Sequence, residues 1–258
     1  MKRSQDSHKG ENGKVAIIGG SLHQHGAPLF SALAAEASGV DLIFIAVPKC
    51  HAEVAKSQSL NVQVHPFHGD DIDTKDIRNL LEMLATVDAA VIGPGLSRSP
   101  SALKVVRALI ESAPCPLVLD ASALQPWTLK AVEGKDAILT PHLGELERMG
   151  IRPGEIQKVS KKMGVTIHVK GKTDRIAFPN GKLKQVTGGN PGLTVGGTGD
   201  ALAGLICGLI AQGWKPADAC VAASKTIKKS AELLKKDYGF AYGTRNVITM
   251  IPKILKAL

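Results

Sequence analysis

A chain of 258 residues, 44% of them hydrophobic and with a mean hydropathy of +0.05, has enough apolar material for a full core and excludes an intrinsically disordered protein. Its net charge of +9 points to anionic partners, yet only 3% of its residues are aromatic, too few for the stacking platforms of a single-strand nucleic-acid binder. No apolar run is long enough to span a membrane, and Met1-Lys2-Arg3-Ser4-Gln5-Asp6 leads into no apolar signal segment, so the expectation is a cytoplasmic protein that binds phosphorylated small molecules, with neither nucleic acid nor membrane as partner.

Short β-branched runs alternate with helical periodicity along the chain. Lys14–Ile18 reads as a strand ending in Gly19-Gly20-Ser21, followed by a helix over Pro28–Ala37 with Pro28 in its first turn. Strands are predicted at Leu42–Val47 and, more weakly, Val62–His65, then a helix over Asp73–Leu84 from the stripe Ile77, Leu80, Leu81 and Leu84. Ala89–Ile92 is a strand ending in Gly93-Pro94-Gly95, and Ala102–Ile110 is helical. Pro116–Leu119 ends in Asp120, and Ala137–Leu139 in Thr140-Pro141-His142. A helix over Glu155–Met163 is stopped by Gly164, and the strand Thr166–Val169 ends in Lys170-Gly171. Arg175–Phe178 and Leu183–Val186 flank Pro179-Asn180-Gly181, a hairpin signal. Helices are predicted at Asp200–Ala211, Ala217–Lys236 and Asn246–Leu258. In the second of these, Lys225, Lys228, Lys229, Lys235 and Lys236 read as a solvated face.

This alternation predicts an α/β fold, a mostly parallel central sheet with helices on both faces and a small β-hairpin. In such sheets ligands bind at the C-terminal ends of the strands, where the glycine-, aspartate- and Pro-His-bearing turns fall. Cys50, Cys115, Cys207 and Cys220 form no CxxC pair and read as free, mostly buried thiols of a reducing compartment. His8, His23, His25, His51, His65, His68 and His168 show no zinc-ligand spacing, and no structural zinc is expected.

The run from Gly188 to Asp200, GGNPGLTVGGTGD, carries the most chemistry. A glycine-rich loop ends there at a helix N-terminus, where free N–H groups and the helix dipole favour an anion. Asp200 at that junction reads as a general base beside a phosphate. Neither GxGxxG nor GxxxxGK[ST] is present, which disfavours a nicotinamide dehydrogenase and a Walker-type ATPase. His142 and Glu145, three apart after a strand, read either as a ligand contact with a Mg²⁺-water site or as a helix cap. Lys170, in the turn Lys170-Gly171-Lys172-Thr173-Asp174, could neutralise a phosphate, or the turn could simply lead into the hairpin.

In order along the chain, His8-Lys9-Gly10…Gly13, Ile17-Ile18-Gly19-Gly20-Ser21, Gly26-Ala27-Pro28, Gly93-Pro94-Gly95-Leu96, Pro141-His142-Leu143-Gly144-Glu145, Lys170-Gly171, Gly188–Gly192 and Gly196–Asp200 resemble the ADP/ATP-dependent NAD(P)H-hydrate dehydratases. The resemblance implies one ribokinase-like domain over residues 1–258. It implies dehydration of the S-epimer of hydrated NADH or NADPH, by phosphorylation of the ring hydroxyl from ATP or ADP and loss of phosphate, with Mg²⁺. By the same resemblance Asp200 is the base, and Gly197, Thr198 and Gly199 supply N–H groups to the phosphoryl oxygens. Lys170, Gly171, Lys172, Thr173, Asp174 and Gly199 would lie against the nucleotide. Ala27, Gly95, His142 and Asp200 would contact the hydrated dinucleotide, and Glu145 would hold a metal-bound water. An NAD(P)H-hydrate epimerase is implied as a separate pathway partner, and a homo-oligomer is compatible with the family. Ser122, Ser97, Lys172 and Gly243-Thr244-Arg245-Asn246 depart from the usual pattern. The alternative is a ribokinase-like kinase of a small alcohol, such as a thiazole or pyrimidine vitamin precursor, which would stop at the phosphate ester. A third reading, a non-catalytic nucleotide-binding protein, is disfavoured by the intact Asp200.

Overall fold

The protein is described by a computed structural model over residues 5–257. Nine strands form one sheet: β1 (Lys14–Ile18), β2 (Leu42–Val47), β3 (Val62–Pro66), β4 (Ala89–Ile92), β5 (Leu117–Leu119), β6 (Ala137–Leu139), β7 (Thr166–Val169), β8 (Asp174–Ala177) and β9 (Leu183–Val186). The strand order is β3-β2-β1-β4-β5-β6-β7-β8-β9. Pairing is parallel from β3 across to β7 and antiparallel for β7–β8 and β8–β9, which is the predicted hairpin folded onto the sheet's edge.

The central strands are buried on both faces, which explains why they read as short apolar runs rather than alternating ones. In β1, Val15 and Ile17 enter one hydrophobic cluster while Ala16 and Ile18 enter the other. The first cluster is covered by α1 (Gly26–Ala37), α2 (Ala52–Gln58), α8 (Thr198–Ala211), α9 (Pro216–Tyr238) and α10 (Thr244–Leu255). The second is covered by α3 (Ile77–Leu84), α4 (Pro100–Ser112), α5 (Thr128–Ala131), α6 (Leu143–Arg148) and α7 (Ile156–Met163). No helix among the described residues is long and apolar enough to cross a membrane.

Several predicted bounds shift. The helix expected from Asp73 begins with a 3-10 turn over Thr74–Asp76, because the Asp73 carboxylate accepts from Lys75 N–H while Asp76 caps back onto Asp73 N–H. The last helix runs from Thr244 to Leu255, and Leu258, where it was expected to end, lies outside the described residues. The thiols are less uniformly buried than expected: Cys207 and Cys220 are buried, Cys115 is half-buried and Cys50 is exposed in the turn after β2.

The motif His8–Gly13 takes no part in the strand-end loops. The N–H groups of Gly10 and Asn12 donate to Asp41, just before β2, so the motif closes the opposite end of the sheet. The order in which strands are added reverses between β1 and β4, which run parallel, and this is the position at which α/β sheets open a crevice. There the loops after the two strands meet, with Gly20 N–H donating to Pro94 O at 2.8 Å.

Candidate active site

Helix α8 begins at the glycine-rich loop. Gly197, its N-cap, has φ of +97°, and Phe30 lies where any side chain would go, so only glycine fits. The loop is braced from outside. The Thr198 hydroxyl donates to Leu193 O at 2.8 Å, and Thr244, a departure from the usual sequence, donates to Gly196 O at 2.7 Å. Asn190 Oδ1 accepts from Gly192 N–H and from the Tyr242 hydroxyl at 2.9 and 2.7 Å. With its hydroxyl so engaged, Thr198 has only its N–H to offer an anion, as expected for the first turn of a helix.

Asp200 stands in that first turn, and Ser31 of α1 donates to its backbone carbonyl at 2.9 Å. Its carboxyl is pushed up to about 7, first by burial and then by the charge of Asp120, with Glu145 adding to the rise and the Lys170 ammonium pulling against it. Four charged groups therefore converge from the ends of four elements: Asp120 after β5, Glu145 on α6, Lys170 after β7 and Asp200 on α8. Lys170 Nζ donates to Asp120 Oδ1 at 2.6 Å and lies 3.8 Å from Glu145 Oε2. Burial pulls Lys170 down, but Asp120, Glu145 and Asp200 outweigh it and hold the ammonium above its ordinary value. Three carboxyl groups thus surround one ammonium.

The His142–Glu145 pair is a helix cap. Glu145 N–H donates to His142 Nδ1 at 3.2 Å and the Glu145 carboxylate accepts from His142 N–H at 2.9 Å, a reciprocal capping box. The cap still leaves the His142 side chain more than half exposed. Glu145 spends its oxygens on His142 and Lys170, and no group of three or more His, Cys, Asp or Glu among the described residues could cage a metal. That donor set fits a divalent ion held by phosphates and water better than one held by protein.

Beside α8 lies a cleft of about 900 Å³. The whole turn Lys170–Asp174 lines it, with Thr198 and Gly199, so the residues expected against a nucleotide share one wall. Gly199 packs close against the Lys170 side chain. Ala27, Gly95, His142 and Asp200 do not line this cleft. Ala27 and Gly95 are neighbours at the switch point, where a methyl on Gly95 would sit 3.1 Å from Ala27 Cβ. The cleft is also lined by Thr187, by Gly188–Pro191 of the glycine-rich run, and by Ile227, Lys228 and Lys235 of α9, which sequence reasoning did not place at a ligand. Lys228 corrects the expectation of a solvated face, being only 5% exposed, with its ammonium donating to Gly171 O and Lys172 O. The signal was present: Ser224, Ile227, Lys228 and Ala231 follow one helical stripe, so a lysine stands among buried positions.

Asp174 faces inward. Its carboxylate accepts from Gly171 N–H, Ser224 Oγ and His168 Nε2, and although burial alone would raise it, those donors hold it at about 2. Ser122, which replaces the usual second aspartate, donates to Leu96 O at 2.6 Å and so ties the turn after β5 to the turn after β4. Ser97 likewise donates to Asp71.

The mostly parallel sheet with helices on both faces and a glycine-rich loop at the start of α8 is a ribokinase-like fold. A ribokinase-like superfamily protein from Enterococcus faecalis superposes with a TM-score of 0.83 at 25% identity, over 99% of this chain and 91% of that one. The chain belongs to the NAD(P)H-hydrate dehydratase family, whose model matches residues 15–253. It is 35% identical to an ADP-dependent (S)-NAD(P)H-hydrate dehydratase of Cenarchaeum symbiosum, over 98% of this chain and 92% of that protein. The ADP/ATP-dependent NAD(P)H-hydrate dehydratase of Bacillus subtilis, co-crystallised with ATP and Mg²⁺, superposes with a TM-score of 0.84 at 26% identity, over 99% of this chain and 93% of that one.

Proposed function

We propose that this protein dehydrates the S-epimer of hydrated NADH or NADPH, with ADP or ATP as phosphoryl donor. The observation that carries the reading is the Asp200 carboxyl, raised to about 7 in the first turn of α8 behind Gly197–Gly199. A group of that acidity is ionised in part at neutral pH and still accepts a proton well. Asp200 takes the proton of the ring hydroxyl as its oxygen attacks the terminal phosphorus of the donor, and AMP or ADP leaves. The N–H groups of Gly197, Thr198 and Gly199 meet the charge that grows on the phosphoryl oxygens. The ring C–O bond then breaks, phosphate departs, and loss of a ring proton restores the double bond of NAD(P)H.

The cleft beside α8 holds the nucleotide, with Lys170–Asp174 and Gly199 as one wall. The hydrated nicotinamide lies on the other side of the glycine loop, toward Ala27, Gly95 and His142. Mg²⁺ carried by the phosphates would supply charge neutralisation, and Glu145 is the residue that would hold one of its waters. An NAD(P)H-hydrate epimerase acts upstream by converting the R form to the S form. Family membership supports a dehydratase over a kinase that would release a stable phosphate ester.

The test is recovery of reduced-nicotinamide absorbance when the purified protein meets hydrated NADH or NADPH, Mg²⁺ and ADP or ATP. Release of NAD(P)H with equimolar phosphate is expected; accumulation of a phosphorylated alcohol without NAD(P)H would sink the reading. Asp200→Asn is expected to lower turnover by about two to four orders of magnitude while nucleotide still binds.

A further inference from the structure

Helix α9 presents Lys225, Lys229 and Lys236 to solvent but folds Lys228 inward, where its side chain is only 7% exposed. Its ammonium donates to Gly171 O at 2.9 Å and to Lys172 O at 3.0 Å, and forms an ion pair with Asp174 Oδ1 at 3.3 Å. Asp174 is itself held on both oxygens, Oδ1 by Gly171 N–H at 3.0 Å and Oδ2 by Ser224 Oγ at 2.6 Å and His168 Nε2 at 3.2 Å. Ser224 and Lys228 stand one helical turn apart. His168 is fully buried and its Nδ1 has no partner, so the bond to Asp174 is its one polar contact. Two residues of α9 and one of β7 thus grip the turn Lys170–Asp174.

Burying an ammonium and a carboxylate is a poor route to stability. The desolvation cost is several kcal/mol per ion, and a methionine of similar length would fill the space. What the arrangement achieves is local. Both carbonyls that Lys228 holds belong to the turn that lines the cleft, and Lys228 lines the same cleft. In a trans, planar peptide the N–H points opposite to its carbonyl. Holding Gly171 O and Lys172 O therefore turns the N–H groups of Lys172 and Thr173 away from Nζ and fixes them as donors.

We propose that Lys228, seated on Asp174, is a positioning residue for the adenine nucleotide, holding the turn Lys170–Asp174 in its binding shape before the nucleotide arrives. This rests on the reading of the cleft as the nucleotide site. Affinity is gained because the turn is not ordered at the moment of binding.

Titration calorimetry with ATP and with ADP, on the wild type and on Lys228→Met, Lys228→Arg and Ser224→Ala, tests it alongside steady-state kinetics. Lys228→Met is expected to weaken nucleotide binding about tenfold or more while the KM for hydrated NADPH moves by less than about twofold. Lys228→Arg recovers part of the loss, and Ser224→Ala loses a few-fold. Hydrogen exchange at residues 171–173 of the ligand-free protein is faster in Lys228→Met. A cooperatively melting Lys228→Met that binds nucleotide within about twofold of wild type overturns the proposal, as does an equal rise in both KM values. If Lys228→Met does not fold, unchanged nucleotide affinity in both other variants overturns it. Failure of the wild type to bind ATP or ADP overturns the cleft assignment itself, and the proposal with it.

Discussion

Asp200 costs the folded protein stability in the form that its proposed chemistry needs. Its carboxyl titrates near 7 when folded against an ordinary 3.8, so the native state holds a proton that the unfolded chain has released. Native stability therefore falls as pH rises from about 4 to about 7, and levels beyond. Asp200→Asn removes that dependence: its gain in melting temperature over wild type should grow across the same window and then stay constant, as scanning calorimetry would read. The acid limb of wild-type kcat/KM should lie near pH 7, because Asp200 must lose its proton to act as base; a flat profile from pH 5 to 8 would remove it from that role. Asp200 was legible in the sequence because a lone carboxylate at the end of GGTGD has no folding purpose. Lys228 was not, because one lysine among five on a helix looks solvated until the neighbouring stripe is read against it. Asp120, read in the sequence only as the end of a strand, lies closer to the Lys170 ammonium than Glu145 does.

At the scale of elements, α8 is held to α1 by near-contact of backbones. A methyl at Gly204 would lie 2.0 Å from Ser31 O, and one at Gly208 would lie 2.2 Å from Ser38 Oγ. Gly204→Ala should therefore cost about 3 kcal/mol or more in urea unfolding, despite the higher helix propensity of alanine. Asp200 rides on that helix, so activity should fall further than the population of folded protein does. The long elements were legible because burial on one or two faces writes a clear period. Helices α2, α5 and α6 were not predicted, being seven, four and six residues long, too short to show a period. The cap at the start of α6 was one of the two readings offered for His142 and Glu145, but six residues gave no period from which to extend a helix beyond it.

For the whole molecule, nucleotide binding is linked to folding. At a hundred times its dissociation constant a ligand adds about 2.7 kcal/mol, which for a chain of this size raises the melting temperature by roughly 5–10 °C. A thermal melt with saturating ADP or ATP and Mg²⁺ should show a rise of that order, and absence of any rise would contradict a preformed nucleotide cleft. The strand order also divides labour across the sheet. Asp120 and Lys170 follow interior strands, and β6 leads into the helix that carries Glu145. The cleft residues Thr187–Pro191 follow β9, the strand at the sheet's margin. A margin tolerates insertion and exchange, whereas interior strands are fixed by neighbours on both sides. On the proposed reading, edits at that margin reshape one side of the donor cleft and leave Asp120, Lys170 and Glu145 where the interior strands set them.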